Sequence, residues 1–298
     1  MNNKTSSFLI FLALFMTAVC VRAQSRMPEI KVEPHAAPKD SLEQAFEERP
    51  YFLLIEQSEK ALEEGDYDAA ALRLVEAMGV EPNNPLNVAL LSNLGMIYYY
   101  NEQDSLALVV LEKAIERAPR LIAPREGRAR ILVGMKRDKE AYQEYENIIA
   151  IDSINTEAHF LHGMMALYNG DLPTALSDID VLERVIPVSS QTRLAKAILY
   201  SMTSQEIEAI SLLRKLIETE PAPEYFSRLA ACQLALEQLG DVSDTLGSWL
   251  QKYPNDPEAF YYRAILNRKR YLLDEAQRDA KQAIKLGADP ARVAAIFN

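Results

Sequence analysis

Few residues in this 298-residue chain have a type and spacing that could support chemistry. His159 and His162 are three residues apart, so a helix would place both imidazoles on one face, where a metal ion could bind. Both positions are also expected to face neighbouring helices. The sequence therefore favours a packed or partly solvated role for this pair over a metal site. The third histidine, His35, lies in a proline-containing segment near the N-terminus.

Other reactive side chains are isolated from the partners that catalysis requires. Cys232 has no histidine near it in sequence and lies in a helical pattern, so we expect an inert, half-buried thiol. Asp178 and Asp180 are two residues apart, which directs them to different sides of a helix and indicates a solvated face. The sequence contains no glycine-rich phosphate loop, paired-cysteine metal motif or histidine-glutamate zinc helix. We therefore predict no enzymatic activity, catalytic residue, cofactor or metal.

The first residues have the pattern of an export signal. Lys4 precedes an apolar run over residues 8–19, and Val21 and Ala23 supply small residues at the spacing of a cleavage site. We interpret residues 1–23 as a cleaved signal peptide, which predicts an exported protein, periplasmic in a Gram-negative bacterium, with outer-membrane association left open. The alternatives are an uncleaved anchor, although the run is shorter than the roughly 20 residues that span a bilayer, or lipidation at Cys20.

Charge and cysteine content restrict the partners and the sources of stability. The formal net charge is -11, and removal of residues 1–23 takes away Lys4 and Arg22, leaving -13. Phosphate backbones and anionic membrane surfaces repel such an acidic body, so we predict no nucleic-acid partner. Because the apolar run belongs to the cleaved signal, we also predict no integral membrane span in the mature chain. Only Cys232 remains downstream of the signal. The stability of the mature chain must therefore come from packing, without an internal disulfide.

A proline-containing segment separates the signal from the rest of the chain. Residues 24–40 carry three prolines among polar residues without a helical or strand period. Asp40 and Glu43 then have the spacing of a helix cap, and Pro50 interrupts the short helix that they would begin. We assign residues 24–50 to a flexible tether with a short N-terminal helix.

From residue 51 onward, apolar-periodic helices alternate with short polar breaks at a nearly constant interval. The sequences GDYDAA (65–70) and EPNN (81–84) define a 34-residue unit that recurs along the chain. Three residues are inserted before the second unit, and the fifth is one residue short. The seven units of this repeat array, which covers 51–290, are 51–84, 88–121, 122–155, 156–189, 190–222, 223–256 and 257–290. Residues 291–298 remain as a C-terminal capping segment.

Small residues recur at two positions of every unit. The eighth position holds Ser58, Gly95, Ala129, Gly163, Ala197, Ala230 and Ala264. The twentieth position holds Ala70, Ala107, Ala141, Ala175, Ala209, Val242 and Ala276. Small residues on facing sides of two antiparallel helices allow their axes to approach closely, and a larger residue one turn later fills the groove between them. Proline near the end of most units stops the second helix.

This arrangement resembles the tetratricopeptide repeat, most clearly at Leu94-Gly95 with Tyr98, Ala107, Ala114 and Pro119. The resemblance covers residues 51–290. The chain departs from the pattern where the usual aromatic of the first helix is missing and where proline is replaced. These departures are Leu54, Arg125, Arg193, Ser153 and Ala288. The resemblance implies an all-α fold, a right-handed α-solenoid superhelix of about seven tetratricopeptide-type helical hairpins.

The resemblance also implies a binding surface along the first helix of each unit, formed by positions two, five, nine, twelve and thirteen. At these positions the sequence is rich in aromatic residues, methionine and arginine, which dominate binding at protein interfaces or adapt to varied partners. An alternative is that some of them only seal a tightly wound coil. The candidate partner-binding residues are Phe52, Ile55, Met96, Tyr99, Tyr100, Arg130, Phe160, Met164, Tyr168, Ile198, Tyr261 and Arg268.

Two functional interpretations follow from the predicted signal and this surface. The first is a non-catalytic scaffold or adaptor of the cell envelope whose partner is a protein or extended peptide. The second is a solute- or glycan-binding protein whose aromatic rings stack on a small ligand. Sugars need polar groups beside the rings, and the sequence indicates few of them on this surface. The sequence leaves open whether the chain forms a homo-oligomer.

Overall fold

The computed structural model describes residues 49–297. The predicted signal peptide (1–23), with Cys20, and the predicted tether up to residue 48, with His35, lie outside the described residues. The part that is described contains fifteen α-helices, one short 3-10 helix and no strand. The predicted all-α helical-repeat class is therefore confirmed. None of the described helices is both long and apolar enough to cross a membrane.

The chain divides into two compact units between residues 151 and 152. Unit 1 has six helices: α1 Pro50–Glu64, α2 Tyr67–Val80, α3 Asn87–Tyr100, α4 Asp104–Arg117, α5 Ala123–Gly134 and α6 Asp138–Ile151. Unit 2 begins with six helices: α7 Thr156–Asn169, α8 Leu172–Val185, α9 Ser190–Met202, α10 Glu206–Thr219, α11 Pro223–Ala235 and α12 Leu239–Lys252. It ends with α13 Pro257–Lys269, α14 Leu273–Lys285, α15 Pro290–Ala294 and a 3-10 helix, Ala295–Phe297.

Consecutive helices pair as antiparallel hairpins, three in the described part of unit 1 and four in unit 2. In unit 1 the first helices α3 and α5 also contact each other, and in unit 2 α7 contacts α9 and α11 contacts α13. We call the side of each unit that its first helices form the first-helix surface.

The turn inside every described hairpin has the same backbone conformation. The fifteenth position of the repeat frame has a φ between 54° and 79° in all seven hairpins. These residues are Gly65, Glu102, Lys136, Gly170, Ser204, Glu237 and Tyr271. The next residue's amide donates to the carbonyl five residues earlier, over 2.8–2.9 Å. This hydrogen bond is that of the Schellman motif, which satisfies a carbonyl at the end of the first helix and requires a left-handed residue in the turn.

The small residues at the eighth and twentieth positions lie buried inside the hairpins, as the sequence predicts. The side chains at the twentieth position, from Ala70 to Ala276, have an exposed fraction of 0%. At Gly95 a Cβ atom would come within 2.6 Å of the Leu111 side chain, and at Gly163 within 2.9 Å of Asp178 Cβ. Such distances are shorter than van der Waals contact, so these helices approach as closely as they do because glycine has no side chain.

Aromatic and aliphatic side chains fill the space between successive hairpins. In unit 2, Trp249 is fully buried and stacks on Phe226 with ring centroids 5.9 Å apart. Its indole N–H donates to Asp256 Oδ2 over 3.0 Å, and Asp256 Oδ1 accepts from the backbone amide of Glu258. Asp256 therefore satisfies the buried indole and caps the N-terminus of α13 at the same time.

The last residues pack over the final hairpin of unit 2. Asp289 accepts a hydrogen bond from the Ala291 amide, which begins α15. Val293 is buried against Ala264 and Ala283, and Phe297 packs at the edge of the same cluster. This short helix covers apolar surface that a further repeat would otherwise bury.

Candidate binding site

The residues that the sequence singles out for metal chemistry form a buried hydrogen-bonded group instead. Asp178 Oδ1 lies 2.7 Å from His159 Nδ1, and Asp178 Oδ2 lies 2.7 Å from His162 Nδ1. All three side chains are buried between α7 and α8. The expectation of a packed role for the histidines agrees with this arrangement. The expectation that Asp178 lies on a solvated face is wrong, because its carboxylate is the acceptor that both buried imidazoles require.

Asp180 agrees with the expectation from the sequence, and Cys232 agrees with it only in part. Asp180 is exposed and pairs with Arg184 on the same helix. Cys232 is 5% exposed, more deeply buried than expected, and burial raises the pKa of its thiol. A raised pKa keeps the thiol protonated at neutral pH, which disfavours a role as nucleophile. Within residues 49–297, no three histidine, cysteine, aspartate or glutamate side chains are grouped so that they could hold a metal ion.

The candidate partner-binding residues of unit 1 are mostly half-buried. Tyr99 and Tyr100 have ring centroids 5.5 Å apart, and the Tyr100 ring stacks on Tyr67 of α2. Met96 is buried beside Gly127 and presents little surface to a partner. Half-buried side chains complete the set, namely Phe52, Ile55 and Arg130. The described part of unit 1 thus brings the two tyrosines together.

The candidate residues of unit 2 separate into three groups. Met164 and Ile198 are buried and contribute to packing, and Phe160 is half-buried. Tyr168 is 67% exposed, and Tyr261 is half-buried. Tyr168 contacts Arg228 and Tyr261 contacts Arg292, and both arginines line the same pocket. Arg268 lies elsewhere, in a cleft beside the turn between α13 and α14.

The pocket has a volume of about 300 Å³ and is lined by α9, α10, α11, α13 and α15. Arg228 of α11 donates to Tyr168 Oη over 2.8 Å and to Glu224 Oε1 over 3.0 Å. Arg292 of α15 donates to Glu258 Oε2 over 2.9 Å, and its guanidinium lies 3.9 Å from the Tyr261 ring centroid. The remaining lining residues are Ala197, Ser201, Leu213, Ser227, Ala231, Cys232 and Tyr262.

Ion pairing and burial set the protonation states of the lining side chains. Burial alone lowers the pKa of Arg228, but its hydrogen bonds to Tyr168 and Glu224 outweigh that effect and raise the pKa overall. The pKa of Arg292 is raised chiefly by its hydrogen bond to Glu258. Burial raises the pKa of Tyr262, so its hydroxyl stays a hydrogen-bond donor at neutral pH. The pocket therefore offers two fixed cations, two carboxylates and neutral hydroxyls to a ligand.

Sequence reasoning missed most of this pocket. Glu224 and Ser227 occupy positions two and five of the sixth unit, so the repeat frame could have identified them, but they are neither aromatic nor apolar. Arg292 lies beyond the last repeat and has no position in the frame. Its place beside Glu258 depends on how α15 packs back over α13.

Comparisons with known proteins identify the fold. No family profile matches the chain, and no curated protein sequence matches it. Among solved structures, a tetratricopeptide repeat protein from Parabacteroides merdae is 24% identical with a TM-score of 0.70, covering 83% of this chain and 97% of that one.

Two further solved structures are similar at lower identity. PilW, described as a widely conserved type IV pilus biogenesis factor, is 16% identical with a TM-score of 0.61, over 72% of this chain and all of that one (100%). PilF of Pseudomonas aeruginosa is 15% identical with a TM-score of 0.57, over 70% of this chain and 96% of that one. The helical hairpins, their small-residue contacts and these likenesses together show that the chain has the fold of the tetratricopeptide repeat proteins.

Proposed function

We propose that this chain is a non-catalytic scaffold that binds an extended segment of another protein on the first-helix surface of unit 2. The observation that carries the proposal is the pocket at Arg228 and Arg292, which is lined mostly by residues of the first helices α9, α11 and α13. An extended peptide presents both N–H donors and C=O acceptors at regular intervals. The carboxylates and guanidiniums of the pocket match both kinds of group.

Tyr168 extends the proposed site along the same surface. Its ring is largely exposed, and its hydroxyl is fixed by Arg228. An aromatic ring held in place loses little conformational freedom on binding, which is why tyrosine and arginine contribute strongly at protein interfaces. Together, Tyr168 and the pocket supply an apolar contact beside a polar anchor.

We propose no catalytic step at this site. The two arginines are ion-paired, and the raised pKa of Cys232 disfavours the thiolate. These properties favour recognition over reaction, since a nucleophile needs a neighbouring base or a lowered pKa.

A photo-reactive amino acid at Ala231 tests the proposal. Ala231 is exposed, lines the pocket and has a small side chain, so replacement leaves the ion pairs in place. We expect covalent capture of one protein partner from an envelope extract, and Arg228→Ala should reduce this capture by on the order of tenfold or more.

The matched control carries the same photo-reactive residue at Ser211, which is exposed on the second helix α10. Capture of the same proteins at Ser211 and Ala231, or no capture at Ala231, would contradict a site on the first-helix surface.

The location that we propose is the cell envelope, in the periplasm of a Gram-negative bacterium. It rests on the signal pattern of residues 1–23. Fractionation of cells that express the full chain should release a processed protein with the periplasmic contents, and its first residue should be Gln24. An unprocessed protein in the cytoplasmic fraction would refute this location.

A second candidate function is binding of a polar solute or glycan in the same pocket. The observation that favours it is that two glutamates, Glu224 and Glu258, and two arginines lie close to tyrosine rings. The sequence alone did not indicate these polar groups. Calorimetry against a panel of glycans and small polar solutes distinguishes the two functions. Micromolar binding that is lost in Arg228→Ala would favour the solute over the peptide.

A further inference from the structure

The turn between α13 and α14 displays a combination of residues that neither the fold nor the pocket explains. Residues 268–273, here called the tip segment, read Arg-Lys-Arg-Tyr-Leu-Leu. Tyr271 is 85% exposed, the highest exposed fraction among the large apolar side chains of residues 49–297, and Leu272 and Leu273 are 44% and 50% exposed. Three consecutive cations therefore precede three consecutive exposed apolar side chains.

The backbone of Tyr271 has a conformation that tyrosine does not favour. Its φ is 62°, in the left-handed region, where the Cβ atom of an L-residue is crowded by its own backbone. Gly65 and Gly170 occupy the equivalent turns of two other hairpins. Glycine would serve this turn better, so the tyrosine side chain does not stabilise the fold at this position. All seven described turns share this conformation, so the fold explains the strain, but it does not explain a tyrosine that is 85% exposed at this position.

The cations of the tip segment lie beside an open cleft. Arg268 and Lys269 line this cleft of about 410 Å³ together with Tyr271, Leu239 and Glu237. Arg270 is anchored, because its guanidinium donates to the Leu239 carbonyl over 2.6 Å. The acids nearby are Glu237 in the cleft, Asp274, and Glu275, which pairs with Arg278. The tip segment itself carries three cations and no acid, in a chain whose formal net charge is -11.

We propose that the tip segment docks the protein on an anionic lipid surface. The phosphates of the lipid head groups bind Arg268 and Lys269, and the Tyr271 ring with Leu272 and Leu273 enters the boundary between head groups and acyl chains. Charges farther away than about 8 Å are screened at physiological salt, so the acidic remainder of the chain does not cancel this contact. This inference goes beyond the proposed binding of a protein segment and uses other residues.

The exposure of Tyr271 favours a lipid surface over a protein partner. A protein interface gains most from anchors that are held in place before binding. At 85% exposure the Tyr271 ring makes few contacts with its own chain, so little orients it. A fluid head-group region accepts a ring in many orientations, and tyrosine is enriched at that depth of a bilayer.

Quenching by brominated lipid in vesicles tests the contact at the residue itself. In the full chain, Tyr271→Trp places an indole on the tip segment, and Ser204→Trp places one at the equivalent turn of the hairpin α9–α10. Trp249 is fully buried and contributes a background that the wild-type chain measures. With vesicles that contain an anionic brominated phospholipid, we expect strong quenching at residue 271 and little at residue 204.

A second pair of variants separates binding from folding. Tyr271→Gly removes the ring and relieves the left-handed strain, so it should unfold at a temperature no lower than the wild type. Its partition onto anionic vesicles should fall by on the order of tenfold, and Lys269→Glu should cause a similar loss. Ser204→Gly relieves the same strain at another turn and should leave partition unchanged.

Either measurement can overturn the proposal. Equal quenching at residues 204 and 271, or no quenching at either, would show that the tip segment does not enter the membrane. Unchanged partition of Tyr271→Gly would show that the ring is not needed. If the wild type partitioned equally strongly onto neutral vesicles, the cations would have no role in binding. If Tyr271→Gly lost a protein partner while its partition stayed unchanged, the tip segment would belong to a protein interface.

Discussion

His159 donates from Nδ1 to Asp178 Oδ1 over 2.7 Å, and its other ring nitrogen, Nε2, lies 3.1 Å from the carbonyl oxygen of Ser153. The carboxylate also accepts from His162. These contacts link α7, the preceding loop and α8 through one buried polar group. In this hairpin the group stands beside Gly163, whose missing side chain makes room for Asp178.

Removal of the Asp178 carboxylate should destabilise unit 2 strongly. Asp178→Ala leaves two buried imidazoles without their acceptor, and we expect the free energy of unfolding to fall by about 3 kcal/mol. Asp178→Asn should cost less, because the amide can accept from one imidazole and donate to the other. Urea unfolding followed by circular dichroism measures the free energy of unfolding of both variants.

Asp180→Ala is the control for the Asp178 variants, two residues away on the same helix. Its side chain is exposed, so we expect a change within about 0.5 kcal/mol. Equal losses for Asp178→Ala and Asp180→Ala would contradict a structural role for the buried group.

The glycines inside the helices should respond to alanine in opposite directions. Gly95→Ala would place a Cβ atom 2.6 Å from the buried Leu111 side chain, and we expect a loss of about 1–3 kcal/mol from overpacking. Gly247 lies within α12 with no atom within 4 Å of an added Cβ. Gly247→Ala should therefore stabilise the chain by about 0.5–1 kcal/mol, through helix propensity alone. Thermal and urea unfolding measure the stability of both variants. If both were destabilised, the room for an added Cβ atom would not be the deciding factor.

The left-handed turn residues offer a gain in stability. Glu102 has a φ of 61°, a conformation that costs an L-residue about 1–2 kcal/mol. Glycine removes this cost but adds freedom to the unfolded chain worth about 0.4–1 kcal/mol, so Glu102→Gly should gain about 0.5–1 kcal/mol net. Gly65→Ala should lose about 1 kcal/mol for the converse reason. Urea unfolding measures each variant.

Glu102→Ala separates the backbone effect from the loss of a charge. It removes the carboxylate but keeps the Cβ atom, so its stability should stay within about 0.5 kcal/mol of the wild type. If Glu102→Ala were stabilised as much as Glu102→Gly, the gain in stability would come from loss of the charge and not from the backbone.

Buried tyrosine should make stability fall at alkaline pH. Burial, with a smaller effect of the Glu81 charge, raises the pKa of Tyr51 above its value in the unfolded chain. Between these two pKa values the folded state keeps the proton and the unfolded state loses it, so stability decreases as pH rises. The stabilising effect is complete below the unfolded pKa of about 10 and disappears as pH rises through the folded pKa.

Tyr51→Phe isolates this contribution. Phenylalanine cannot ionise, so the variant should lose less stability between pH 9 and about 11 than the wild type does. At pH 8 it should be less stable by about 1–2 kcal/mol, because the hydroxyl no longer donates to Asn87 Oδ1. Urea titrations of both proteins at several pH values give the comparison. If the free energy of unfolding fell with pH equally in both, the pKa of Tyr51 would not be raised in the folded state.

The sequence by itself determined the repeating part of this protein. Small residues such as Gly95 and Ala107 recur at fixed positions because each hairpin meets the same local condition, the close approach of two helices. The same regularity places a left-handed residue at one position in every described turn. Because every hairpin needs small residues at the same positions, these residues recur in the sequence at a fixed interval. The hairpins could therefore be predicted without any structure.

Only the tertiary structure decided which side chains meet. Arg228 reaches Tyr168, 60 residues away, and Arg292 reaches Glu258, 34 residues away. The repeat frame assigns positions to a surface, but the direction of a long side chain depends on the neighbours that pack around it. For the same reason the frame could not reveal that Asp178 is buried or that Met164 is part of the packing.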